Sequence, residues 1–244
     1  MRFLATVVFL LLGITAFASD ATSVSYPSGS DTIHATLFRP SAKGPAPAIV
    51  VIHEWWGVTP WIKEQAAKLA DQGYVALVVD LYRGQTASDP ETAHELSRGL
   101  PHDRALRDMQ AAVAYLKQQK FVAANRIGAV GWCMGGGYAA DLAAAQPDLK
   151  VVVINYGALP TDPDTIKNIH PAILGIFGGQ DKGIPVARVH AFEEAMQKDG
   201  KRIEIHIYPD AGHAFQNPGN KLGYRAADAA SAWQHILAFF RQNL

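Results

Sequence analysis

Among the 244 residues there is one cysteine, Cys133, and its surroundings suggest chemistry. It lies in Gly131-Trp132-Cys133-Met134-Gly135, after the apolar run Ile127 to Val130 and before an alanine-rich stretch. Glycines on both sides let a strand turn sharply into a helix, which leaves the central side chain exposed at the top of a sheet. The helix that follows points its N-terminus at the sulfur and favours thiolate, the nucleophilic form. A thiol on such a turn needs a base, and the base needs an orienting acid. His213, in Asp210-Ala211-Gly212-His213-Ala214-Phe215, and Asp181, in Gly178-Gly179-Gln180-Asp181, supply the residue types. In this arrangement the carboxylate fixes the imidazole tautomer, and the imidazole exchanges protons with the sulfur and the leaving group. Taken singly, Cys133 could be an inert buried thiol, Asp181 a turn cap and His213 a surface residue. Their order along the chain and their positions after strands favour a working set.

A thiol attacking a carbonyl also needs donors for the oxyanion. The loop Glu54-Trp55-Trp56-Gly57 follows an apolar run that ends at His53. One donor amide belongs there and the other on the residue after the nucleophile, which makes the backbone N–H groups of Trp55 and Met134 the candidates. Trp55, Trp56 and Trp61 are candidates for an apolar substrate wall, with core packing as the alternative. The other histidines have neither the spacing nor the context of a metal site, so no metal is expected. No cofactor is expected either.

These residues must be positioned by the elements around them. Ser23 to Tyr26 and Thr32 to Phe38 alternate like an antiparallel edge hairpin. Ala48 to His53, Tyr74 to Asp80, Arg126 to Trp132, Val151 to Tyr156, Ala172 to Phe177 and Arg202 to Tyr208 are runs expected of strands buried on both faces. Between them, Thr59-Pro60 and Asp89-Pro90 are helix starts, and Gly73 is a stop. Apolar stripes at helical spacing follow at Leu106, Met109, Val113 and Leu116, at Val189, Phe192 and Met196, and at Trp233, Ile236, Leu237 and Phe240. Alternating strands and helices predict a mostly parallel central sheet with helices on both faces, and ligands bind beyond the carboxyl ends of such strands.

Composition narrows the partners. Lysine plus arginine and aspartate plus glutamate number 22 each, with no basic run, which argues against nucleic acid and anionic membrane surfaces. A small molecule in a pocket is the expected partner, and a monomer the expected state. Arg2 followed by the apolar stretch Phe3 to Phe17 and the small residues Ala16 and Ala18 predicts a signal peptide over 1–18, cleaved after Ala18. Retention as an uncleaved anchor is the alternative. The expectation is therefore an exported chain, periplasmic or secreted, with one domain over 19–244 and no stable membrane association after cleavage. A single cysteine forms no internal disulfide, and a lone thiol in an oxidising compartment needs burial or a task.

His53-Glu54-x-x-Gly57-Val58, Asp80-Leu81-Tyr82, Gly-x-Cys133-x-Gly, Gly-Gly-Gln-Asp181 and Ala-Gly-His213-x-Phe215 together resemble the dienelactone hydrolase family, from about Ala46 to the C-terminus. The resemblance implies an α/β-hydrolase fold and a Cys133, His213, Asp181 triad. It also implies that Glu54 contacts the nucleophile and helps activate it. Arg83, Trp56, Tyr82 and Phe215 are the candidate substrate-binding residues. Two departures bear on the substrate. Arg83 follows Tyr82 directly, one place earlier than the family's carboxylate-binding arginine, and Asn217 stands where the family's second arginine would be. The expected activity is hydrolysis of a small lactone or carboxylic ester through a cysteine thioester, carboxymethylenebutenolidase-like. A thioesterase, a general carboxylesterase, a redox thiol or a non-catalytic binder of the same fold are the alternatives.

Overall fold

The structure is a computed structural model describing residues 21–244; the expected leader over 1–18 lies outside the described residues. Eight strands form one sheet in the order β1-β2-β4-β3-β5-β6-β7-β8. The edge hairpin is β1 (Ala21–Ser28) with β2 (Asp31–Phe38), and β2 pairs antiparallel with β4 (Val75–Val79). From β4 the ladder is parallel through β3 (Ala46–Ile52), β5 (Val122–Trp132), β6 (Val151–Asn155), β7 (Ala172–Gly178) and β8 (Ile203–Tyr208).

Side chains of each central strand divide between two cores. In β3, Ala48, Val50 and Ile52 pack in one, and Ile49 and Val51 in the other. The two-residue strand period makes the division, and burial on both faces explains why the run is apolar throughout. Helices α3 (His102–Lys117), α4 (Met134–Ala145) and α6 (Val186–Lys198) cover the first face through Met109, Ala139 and Phe192. Helices α1 (Pro60–Asp71) and α7 (Ala226–Asn243) cover the second through Ile62, Leu69, Ile236 and Phe240.

The helix starts follow the sequence. The Thr59 hydroxyl accepts the Ile62 amide at 3.4 Å, and the Asp89 carboxylate accepts the Thr92 amide at 2.9 Å to open α2 (Pro90–Arg98). Two features differ. A short helix, α5 (Pro163–Lys167), begins at Asp162-Pro163, repeating the Asp-Pro signal; it has one buried residue, Ile166, and so no apolar stripe to announce it. Strand β5 starts at Val122 rather than Arg126, because Val122 pairs with Ala46 ahead of a register shift.

Candidate active site

Cys133 connects β5 to α4 with φ 56° and ψ −119°, a conformation that costs a side-chain-bearing residue energy and is held by its surroundings. The Cys133 amide donates to the Asn155 carbonyl at 3.0 Å, and its carbonyl accepts the Gly136 and Gly137 amides. Gly131 is obligatory, since a Cβ there would fall on the Gly135 carbonyl. The elbow is thus clamped between the parallel neighbour β6 and the first turn of α4.

The two partners arrive from β7 and β8. Asp181 Oδ1 accepts the Gly183 and Ile184 amides at 2.8 and 3.2 Å, leaving Oδ2 to bond His213 Nδ1 at 2.7 Å. His213 Nε2 lies 3.1 Å from Cys133 Sγ. Burial pulls the imidazole towards neutrality, but hydrogen bonds to Asp181 and the sulfur, and their charges, push its pKa up to about 10. For Asp181, burial acts upward and is outweighed by the His213 hydrogen bond and charge and the two amides, so its pKa is lowered. The hydrogen bonds to Asp181 and to the sulfur both favour a proton on His213.

Glu54 emerges at the end of β3 and is 2 % exposed. His53, fully buried, holds the loop: its Nδ1 donates to the Glu54 carbonyl at 2.6 Å and its Nε2 accepts the Leu81 amide at 3.3 Å. Asn217 Nδ2 donates to Glu54 Oε2 at 2.6 Å, while Glu54 Oε1 is buried without a hydrogen-bond partner among the described residues. Burial pushes the carboxyl up to about 7, against the lowering effects of Asn217 and the His213 charge. Glu54 therefore stands between its two protonation states near neutrality.

Among the described residues, the amides of Trp55 and Met134 have no hydrogen-bond acceptor. Trp55, Trp56 and Trp61 line a cleft of about 1110 Å³ whose floor includes Glu54, Cys133 and His213. Its rim carries Lys221 and Leu222, from the long loop between β8 and α7. A second hollow of about 440 Å³ opens on the other side of Cys133, lined by Met134, Tyr138, Ile184 and His102 among others.

Three of the residues expected at the substrate are elsewhere. Arg83 lines neither cavity: its guanidinium is held by Asp108 at 2.8 Å and Asp31 at 3.3 Å, so the expectation that it binds substrate is corrected. Asp108 is completely buried, and an unpaired buried carboxylate is costly enough to fix the arginine there. Tyr82 is buried with its hydroxyl donating to Met134 Sδ at 3.2 Å, which supports the elbow from behind. Phe215 is fully buried, packed between Tyr156 and Tyr208.

Sequence reasoning missed Asn155 and Tyr156 at the end of β6, although strand ends were the places to look. Asn155 receives the Cys133 amide through its carbonyl and donates its side-chain amide to the Gly131 carbonyl at 3.0 Å. Tyr156, at φ 37°, lies against the His213 ring at 5.3 Å, and its buried hydroxyl has no partner among the described residues. The role of Asn217 in holding Glu54 was also missed.

Comparison with known proteins gives the family and the fold. Residues 33–244 match the model of the dienelactone hydrolase family. A Methylorubrum extorquens protein named "Putative carboxymethylenebutenolidase" is 33% identical, over 93% of this chain and 84% of its own length. A Bradyrhizobium protein named "Probable 2-oxo-3-(5-oxofuran-2-ylidene)propanoate lactonase" is 35% identical, over 86% of this chain and 89% of its own. The crystal structure of a Klebsiella pneumoniae protein titled a "Putative Dienelactone Hydrolase" superposes with a TM-score of 0.85 at 30% identity, covering 92% of this chain and 99% of that one. With its mostly parallel sheet and the elbow at the end of β5, the chain belongs to the dienelactone hydrolase family and is a carboxylic ester hydrolase of the α/β-hydrolase fold.

Proposed function

We propose that the chain hydrolyses a small lactone or carboxylic ester with an apolar body through a thioester on Cys133. The observation that carries this reading is the relay Asp181 Oδ2 to His213 Nδ1 at 2.7 Å and His213 Nε2 to Cys133 Sγ at 3.1 Å, at the meeting of two cavities. The thiolate attacks the carbonyl carbon, and the Trp55 and Met134 amides hold the oxyanion. Collapse breaks the C–O bond, and His213 gives its proton to the leaving alkoxide. Neutral His213 then takes a proton from water, the hydroxide attacks the thioester, and the acid departs as thiolate and imidazolium are restored. Glu54, on the same cleft, is the second acceptor for the thiol proton when the sulfur is protonated.

The apolar body follows from the lining. Three tryptophans face the large cleft, Arg83 is committed to Asp108, and Asn217 is committed to Glu54, so among the described residues the cleft carries no arginine fork for a substrate carboxylate. A thioesterase or general carboxylesterase is the second reading, favoured by a cleft of about 1110 Å³, more than a small lactone fills. The test is hydrolysis of a panel of lactones, short esters and thioesters by the wild type and Cys133→Ala. Turnover with an initial acyl-enzyme burst is expected for the wild type and none for the variant. Unchanged turnover in the variant overturns the mechanism, and binding without a burst makes the chain a binder. The mature chain is proposed to act as an exported monomer after cleavage behind Ala18, which N-terminal sequencing and sedimentation would test.

A further inference from the structure

Outside both cavities, β8 and α7 lie against each other along a matched row of side chains. Arg202 Nη1 donates to Asn243 Oδ1 at 3.2 Å, and the Tyr208 hydroxyl donates to Ser231 Oγ at 3.1 Å. Residues 202 to 208 advance about 20 Å in a strand, and 231 to 243 about 18 Å in a helix, so the two rows stay in step. Between these anchors, Glu204 and His206 share one face of β8, and His235 stands one turn after Ser231 on α7. The His206 and His235 rings stack with centroids 3.7 Å apart. His206 Nε2 is 2.6 Å from Glu204 Oε1, and one ligand atom from each of the three residues lies within 4.8 Å of the others.

We propose that Glu204, His206 and His235 form a three-ligand site for a borderline divalent cation such as Zn²⁺, which ties the edge strand β8 to the C-terminal helix α7. Two imidazoles and a carboxylate are the donors zinc takes, with water in the fourth position. Ligand atoms about 2.0–2.2 Å from zinc lie roughly 3.3 Å apart, so the widest pair must close by about 1.5 Å at most and the Glu204–His206 pair must open by about 0.7 Å. Glu204 is 45% exposed and His206 28%, which leaves both side chains room to turn. The cation would stand where the Glu204–His206 hydrogen bond now places a proton. Sequence alone gave no hint, because 29 positions separate the two histidines (206 to 235) and each falls in its own regular element.

The placement has a consequence for the catalytic loop. Residues 209–225, which carry His213 and Asn217, run from the end of β8 to the start of α7. A cation bridging the two elements fastens that loop at its base without touching the reacting atoms. The proposal does not depend on the hydrolytic mechanism.

The test uses the full chain with its purification tag removed and Cys133→Ala in the background, so that the thiol cannot bind metal. Calorimetric titration with Zn²⁺ is expected to give one site per chain, weakened at least tenfold by His235→Ala, by His206→Ala and by Glu204→Gln. At free Zn²⁺ a hundred times its dissociation constant, the melting temperature should rise by roughly 5–10 °C, and the rise should vanish in the variants. Hydrogen bonds from Tyr208 and Arg202 to α7 remain in every variant, and Glu204→Gln gives the answer if a histidine variant fails to fold. No saturable binding, or binding unchanged in the three variants, overturns the proposal.

Discussion

Glu54 offers a direct test of the electrostatics of the site. Its carboxyl has an ordinary value of 4.5 and is pushed up to about 7, chiefly by burial. A carboxyl with a raised folded-state pKa holds its proton more tightly when native than when unfolded. The wild type therefore loses stability as pH rises from 4.5 towards 7, and above 7 the full cost of the buried charge is present. At 1.36 kcal/mol per pKa unit the cost is about 3 kcal/mol. Glu54→Gln is neutral at every pH and keeps an oxygen to accept the Asn217 Nδ2–H. The variant should match the wild type near pH 4.5 and exceed it by about 3 kcal/mol at pH 8, or roughly 6–12 °C in melting temperature. Urea unfolding of both proteins at half-unit steps from pH 4.5 to 8.5 reads the difference. Asp181 and His213 are present in both chains, so their titrations cancel apart from the charge interaction that His213 shares with Glu54. A gap that does not change with pH, or a wild type more stable at pH 8, would refute the reasoning. The variant should also lose hydrolytic rate, so that the residue costs stability where it supports activity.

Other outcomes follow from long-range pairs. Arg83→Ala leaves Asp108 buried without its cation and should cost about 3–5 kcal/mol in urea unfolding, while KM for an uncharged ester stays put; a raised KM with stability intact would return Arg83 to the substrate. Asn217→Ala removes the hydrogen bond that lowers the Glu54 pKa, so the Glu54 limb of the pH–rate profile should move to higher pH; a downward move would count against the assignment. Gly131→Ala places a Cβ on the Gly135 carbonyl and should abolish both the folded elbow and turnover, read by circular dichroism and the ester assay; a folded, active variant would show that the elbow can relax.

The parts of the site legible in the sequence are those whose determinants are local. Gly131, Cys133 and Gly135 announce a strand–turn–helix elbow because only a residue without Cβ fits between backbones that close. Ala48 to Ile52 and Val75 to Val79 announce sheet interior because both of their faces must be apolar. Asp181 and His213 could be paired in advance because each follows a strand, and a parallel sheet gathers such ends at one edge. Resemblance to the family placed Glu54 near the nucleophile, and the sequence could say no more than that about its surroundings.

What the tertiary structure alone decided is which partner each polar side chain takes. Arg83 looked free for a substrate until α3 brought the buried Asp108 within 2.8 Å of it. Asn217 looked like a lost arginine until the loop before α7 laid it on Glu54, 163 positions away. His206 and His235 looked unrelated until α7 packed along β8. Local sequence sets the backbone path because sterics and the pattern of apolar residues act over a few positions. A buried charge or imidazole, by contrast, is settled by whatever distant group the packed fold puts beside it, since leaving it unpaired costs more than any local preference supplies.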